Sequence, residues 1–182
     1  MDQPKRKPNR LPEYDYSSPG AYFVTICTQD RRCILSSITV GEAISLPHSD
    51  EAFSLTLTDY GALVRQAIQN IPNHYPSVTV DNYVIMPNHV HLILRFEPAD
   101  DGRIISSPTA AGGNSGRLIA SPTLSTVVGQ MKRWVSKEAG RSLWQRSYHE
   151  HVIRGEADYR EIWEYIDRNP AKWAEDRYWS KE

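Results

Sequence analysis

Two histidines, His89 and His91, stand one residue apart in the apolar run from Asp81 to Arg95, DNYVIMPNHVHLILR. Successive side chains of a strand point to opposite faces, so the imidazoles share one face while Val90, Leu92 and Leu94 share the other, which is core. Each imidazole could offer a neutral ring nitrogen to one metal ion, and a strand holds that spacing more rigidly than a loop. His-x-His alone equally describes two half-buried strand histidines with hydrogen-bonded nitrogens. Near the C-terminal end, in DYREIWEYIDRNP, Tyr159, Ile162, Trp163 and Ile166 form the sheet-facing stripe of a helix. Tyr165 lies to one side of that stripe, and Asn169 stacks over it one turn later. A tyrosine in that place is usually amphipathic surface. With an amide oxygen above it, the pair could meet a metal held by the histidines, provided the helix packs on their strand.

The remaining elements have to supply that packing. Pro87-Asn88 reads as a turn, making Tyr83 to Met86 and His89 to Phe96 the arms of a tight hairpin. Tyr22 to Thr28, YFVTICT, has the composition of a buried strand. Thr58 caps a helix through Leu63, Val64, Ala67, Ile68 and Ile71, closed by Pro72. Ser121-Pro122 opens another, with Leu124, Val127, Val128, Met131 and Val135 buried and Gly140 ending it. Leu143 to Ile153 alternates as a strand, and Asp158 to Asn169 is a last helix stopped by Pro170, a residue that disfavours helical geometry at Asn169 itself. The segment from Ile38 to Leu57 is irregular, an excursion with room for a hairpin. Residues 99–122, rich in Gly, Ser, Pro and Ala, read as an inserted loop, and 1–12 as a basic arm.

The order strand, helix, strand, strand, helix, strand, helix predicts an α+β, ferredoxin-like (split βαβ) fold. Its antiparallel sheet carries helices on one face, and the C-terminal helix bears Tyr165. At 182 residues, with 40% hydrophobic, the chain suits one domain. A net charge of −1 means that any nucleic-acid role must rest on local clusters. Two cysteines without ligand spacing, and no signal-peptide core or spanning run, suggest a soluble cytoplasmic protein with no membrane partner.

The segments YDYSSPGAYFVTICTQDRR, VDNYVIMPNHVHLIL, LWQRSYHEHVIR and YIDRNPAKW, in that order, resemble the single-tyrosine HUH transposases of the IS200-like family. They are most similar to the REP-associated tyrosine transposase branch. The resemblance implies a divalent metal, Mg²⁺ or Mn²⁺, on His89 and His91, with Asn169 completing the site. It makes Tyr165 the nucleophile, linked to a 5′-phosphate with release of a 3′-hydroxyl. It also implies single-stranded hairpin DNA of the repetitive extragenic palindrome kind as substrate, with the protein acting as monomer or homodimer. The chemistry is consistent, because a phenol with a pKa near 10 needs charge stabilisation at the phosphate to attack, and its phenolate then leaves readily.

Candidate phosphate contacts are Lys5, Arg6, Lys7 and Arg10 in the arm, Arg31 and Arg32 after the first strand, and Lys132, Arg133, Lys137 and Arg146 among the aromatics Trp134, Trp144 and Tyr148. Ordinary core aromatics beside a solvated basic face would look the same. His149 and His151 form a second His-x-His, read as structural or DNA-facing support. The leading expectation is a metal-dependent single-strand endonuclease and strand transferase. The alternative is a non-catalytic, domesticated hairpin-binding protein on the same fold.

Overall fold

A computed structural model describes residues 15–16, 18–40, 53–98, 122–176 and 178–179. Lys5, Arg6, Lys7 and Arg10 and nearly all of the expected 99–122 loop lie outside them. The strands are β1 (Gly20–Cys27), β2 (Ser36–Val40), β3 (Phe53–Leu57), β4 (Val78–Ile85), β5 (His89–Phe96) and β6 (His149–Val152). The α-helices are α1 (Asp59–Gln69), α2 (Ile71–His74), α3 (Leu124–Glu138) and α4 (Glu156–Arg168). Four strands pair in the order β4-β5-β1-β6, every neighbour antiparallel. Numbering only these four in sequence, the order is 2-3-1-4, the ferredoxin-like arrangement. β2 and β3 form a separate antiparallel pair, so the irregular excursion does contain a hairpin.

Alternation decides which residues meet which helix. Tyr22, Val24 and Ile26 of β1 and Val90, Leu92 and Leu94 of β5 are fully buried against α1 and α3. The two crossover helices thus share one face of the sheet. The intervening positions turn to the opposite face, where Ile93 packs with Ile162 and Ile166 of α4. Both faces of β5 are therefore covered, and the His face is dry from His89 to Ile93.

α4 is also tied to the sheet through a bulge. The β4–β5 register shifts between Val80 and Asn82, which leaves Asp81 as the extra residue free to turn its carboxylate outward. That carboxylate accepts Arg95 Nε at 2.8 Å and the Tyr159 hydroxyl at 2.9 Å. Asn82 Nδ2 donates to Asp167 Oδ1 at 2.9 Å. These contacts fix how α4 sits over β5, and so where Tyr165 points.

Several expected boundaries move. Pro72 does not close the first helix: α1 ends at Gln69, and Pro72 lies in the first turn of α2, where its missing N–H costs nothing. The cap of α3 is Thr123, whose hydroxyl accepts from Thr126 N–H. Leu143 and Trp144 are buried in succession, which breaks the alternation, so β6 shrinks to four residues. Trp144 keeps only an isolated bridge to Thr28. Among the described residues, no helix is long and apolar enough to cross a membrane.

One glycine is required by packing. A Cβ on Gly61, in the first turn of α1, would lie 2.0 Å from the Leu35 carbonyl oxygen. That oxygen is pinned by the Thr58 N–H at 3.0 Å. Gly61→Ala is expected to cost about 3 kcal/mol through overpacking, read as a lower urea midpoint at unchanged slope. A midpoint equal to wild type would show that α1 moves away from residue 35 freely.

Candidate metal and tyrosine site

β5 begins with His89, and the β1 register sets Cys27 opposite His89 and Thr25 opposite His91. Both histidines are 0% exposed. Their Nε2 atoms face each other at 3.0 Å. His91 Nδ1 is 2.8 Å from Thr25 Oγ1, and Phe23, two residues back on β1, stacks on the His91 ring with centroids 5.1 Å apart. Thr25 is itself buried. The imidazoles are thus clamped by strand pairing, a hydroxyl and an aromatic face.

α4 brings Tyr165 over this pair. Its hydroxyl lies 3.3 Å from His91 Nε2 and 3.5 Å from Asp176 Oδ2. Unlike the histidines, Tyr165 is 40% exposed, on a groove also lined by Arg168, Asn169, Lys172 and Asp176. The side chain is therefore open to a large substrate on one side and touches the buried cluster on the other. Tyr159, the other tyrosine of this helix, is placed differently. Its hydroxyl donates to Asp81, and burial first, with the Asp81 carboxylate second, raises its pKa. A phenol that is harder to ionise is the poorer nucleophile.

Asn169 does not leave the helix path. Pro170 disfavours helical geometry at the residue before it, yet Asn169 keeps φ −57° and ψ −43° as the C-cap of α4. Hydrogen bonds override the local preference: Lys172 N–H donates to the Asn169 carbonyl at 3.1 Å, and Asn169 Nδ2 donates to Asp176 Oδ2 at 2.8 Å. Its Oδ1 is buried with no hydrogen-bond partner among the described residues. A buried amide oxygen rarely stays unsatisfied, and a cation or a water on one would satisfy it.

Asp176 is the residue that sequence reasoning missed. His89, His91 and Asp176 each offer a ligand atom, and these atoms lie within 4.8 Å of one another. The carboxylate arrives from beyond α4, after a turn of 3-10 helix at Trp173–Glu175. Nothing in the spacing from Tyr165 points to it. Two imidazoles, a carboxylate and a nearby orphan amide oxygen make a mixed nitrogen and oxygen donor set that suits a divalent cation of the Mn²⁺ or Mg²⁺ type.

Among the described residues, the expected basic residues are spread over separate elements. Arg31 lies beside the site, its guanidinium 5.4 Å from the Tyr178 ring, and Arg32 is exposed next to it. Lys132 reaches the backbone carbonyls of Gln145 at 2.7 Å and Ser147 at 3.1 Å, and burial lowers its pKa. It holds the 145–147 segment in place. Arg133 and Lys137 are exposed on α3, across the sheet from Tyr165, and Arg146 is exposed in the segment before β6. Trp144 is buried, and Trp134 and Tyr148 pack on the α1 and α3 core. His149 and His151 are exposed on β6. His151 Nε2 is 2.9 Å from Asp158, whose pKa is lowered first by the Arg154 N–H and then by His151.

No family model matches the chain. A Haemophilus influenzae protein with no assigned role is 33% identical over 177 residues, covering 94% of this chain and 92% of its own. A second protein of that organism, described as "Putative REP-associated tyrosine transposase", is 28% identical over 158 residues, covering 87% and 74%. Over most of its length the chain is thus similar to a REP-associated tyrosine transposase. A solved REP-associated tyrosine transposase, bound to a REP hairpin, shares the fold at a TM-score of 0.57 and 21% identity, covering 94% of this chain and 74% of that one. That similarity is consistent with a polar site of buried histidines beside an accessible tyrosine, rather than an apolar ligand cavity.

Proposed function

We propose that this protein is a divalent-metal-dependent nuclease and strand transferase for single-stranded, hairpin-forming repeat DNA, with Tyr165 as nucleophile. The observation that carries the reading is the Tyr165 hydroxyl, 3.3 Å from His91 Nε2 and at the edge of the His89, His91 and Asp176 cluster, while its ring stays open to solvent. His89, His91 and Asp176 would hold the cation, with Asn169 Oδ1 as an added oxygen. A divalent ion there supplies positive charge for the oxygens of the scissile phosphate.

The rest is done by the chain itself. α4, anchored through Asp81 and Ile93, holds the phenol oxygen in place, so no loop has to order before attack. Asp176 Oδ2 is an anionic acceptor on the hydroxyl's side. Tyr165 Oη bonds to phosphorus as the bond from phosphorus to the 3′-oxygen breaks, leaving a 5′-phosphotyrosine and a 3′-hydroxyl. In the return step another 3′-hydroxyl attacks and phenolate leaves, so strands are exchanged without an external energy source. That a solved family member is bound to a REP hairpin supports hairpin DNA as the partner.

The test is to incubate the protein with labelled single-stranded repeat DNA and Mn²⁺ and separate products on a denaturing gel. A covalent adduct that requires the metal supports the reading. Tight hairpin binding with no adduct at any Mn²⁺ concentration favours the domesticated binding protein instead.

The donor set gives a graded expectation. Asp176→Ala should raise the Mn²⁺ concentration for half-maximal cleavage by more than Asn169→Ala does, because a charged oxygen holds a hard cation better than a neutral one that water can replace. Equal half-maximal concentrations for wild type and Asp176→Ala would remove Asp176 from the ligand set.

A further inference from the structure

Asn88, in the turn before β5, is 1% exposed and hydrogen-bonded in three directions. Its Nδ2 donates to the Tyr178 carbonyl at 2.7 Å and to the Arg31 carbonyl at 3.2 Å. Two acceptors on the nitrogen side fix which way the amide faces. Oδ1 is thereby turned to His89 Nδ1, 2.8 Å away. An amide oxygen cannot donate, so His89 Nδ1 carries the proton and a neutral His89 presents a bare Nε2 toward His91. On the other side, the held Tyr178 carries its own tie, since Tyr178 N–H donates to Asp176 Oδ1 at 2.6 Å. The Tyr178 ring also packs on His89, centroids 4.7 Å apart.

We infer that Asn88 is the positioning residue of this site, setting the His89 tautomer with its oxygen and holding the Asp176-bearing segment with its nitrogen. The inference rests on the reading of His89, His91 and Asp176 as a cation site. One buried amide then links ligands that lie 87 positions apart in sequence, His89 and Asp176. The Arg31 carbonyl it uses is presented by an unusual turn, in which Asp30 and Arg31 both have positive φ, 56° and 55°. Neither is glycine, so the turn is strained and is held by contacts of this kind.

The test uses the full chain and Mn²⁺ alone, followed by titration calorimetry at one pH, with long-range imidazole NMR on the metal-free protein. Asn88→Ala should weaken Mn²⁺ binding ten- to a hundred-fold and shift His89 away from the Nδ1–H tautomer. Asn88→Asp keeps an acceptor for His89 but has no donor for the two carbonyls. It should retain the tautomer while hydrogen exchange at the Tyr178 amide speeds up. A folded Asn88→Ala with wild-type Mn²⁺ affinity and wild-type tautomer overturns the inference. Should that variant not fold, Asn88→Asp with unchanged exchange and affinity overturns it equally. The His89→Ala, His91→Ala double variant separates the two levels. If it binds Mn²⁺ like wild type, the cation reading and the inference both fall. If it loses binding while the Asn88 variants do not, only the inference falls.

Discussion

Tyr165→Phe is expected to fold, to bind hairpin DNA as wild type does, and to form no covalent adduct, with cleavage down at least ~10³-fold. The substitution removes one oxygen. The ring that remains would still pack on Phe23, whose centroid is 6.0 Å from that of Tyr165, so stability should hold. Rival tyrosines are poorly placed. Tyr159 is bound to Asp81, Tyr178 is 4% exposed under the histidines, and Tyr148 packs on the opposite face beside Ser125. An adduct of undiminished yield on a denaturing gel would contradict the assignment of the nucleophile.

His89→Ala and His91→Ala should each abolish cleavage and weaken Mn²⁺ binding at least about tenfold, while hairpin affinity stays near wild type because the proposed metal site is buried and phosphate contacts are expected from exposed cations elsewhere. Each also removes a buried hydrogen-bond partner. His89→Ala removes the partner that Asn88 Oδ1 has in His89 Nδ1, and His91→Ala removes the ring nitrogen beside the Thr25 hydroxyl. A loss of about 1–3 kcal/mol of stability should accompany either change. Activity must therefore be compared at temperatures where both variants remain folded by circular dichroism. Wild-type Mn²⁺ affinity in a folded variant would move the site off β5.

The histidine strand is legible in the sequence because its signals are local: a two-residue period, a Pro-Asn turn, and apolar residues on alternate positions. The α4 stripe is legible for the same reason at a period of 3.6, and Tyr165 can be placed beside it from angle alone. What escapes depends on tertiary contacts. Asp176 reaches the histidines only after Pro170 and a turn of 3-10 helix redirect the chain, and no periodicity carries through that tail. The geometry of Asn169 departs from the preference set by Pro170 because that preference is weaker than the hydrogen bonds of its carbonyl and amide. Lys132 reads from sequence only as a charge, and the Gln145 and Ser147 carbonyls that it reaches are not visible there. Thr25 gives no signal and Asn88 reads only as a turn residue, since one hydroxyl and one amide acquire their bonding roles only when β1 and the chain's end close around β5.

The most direct measurement is to trap the covalent product of the full-length protein with repeat hairpin DNA and Mn²⁺, digest it, and find by tandem mass spectrometry the residue that carries the nucleotide. A 5′-phosphonucleotide on Tyr165, absent when metal is chelated, is the predicted result. A nucleotide on Tyr159, Tyr148 or Tyr178, or an adduct formed equally well without metal, would contradict the account.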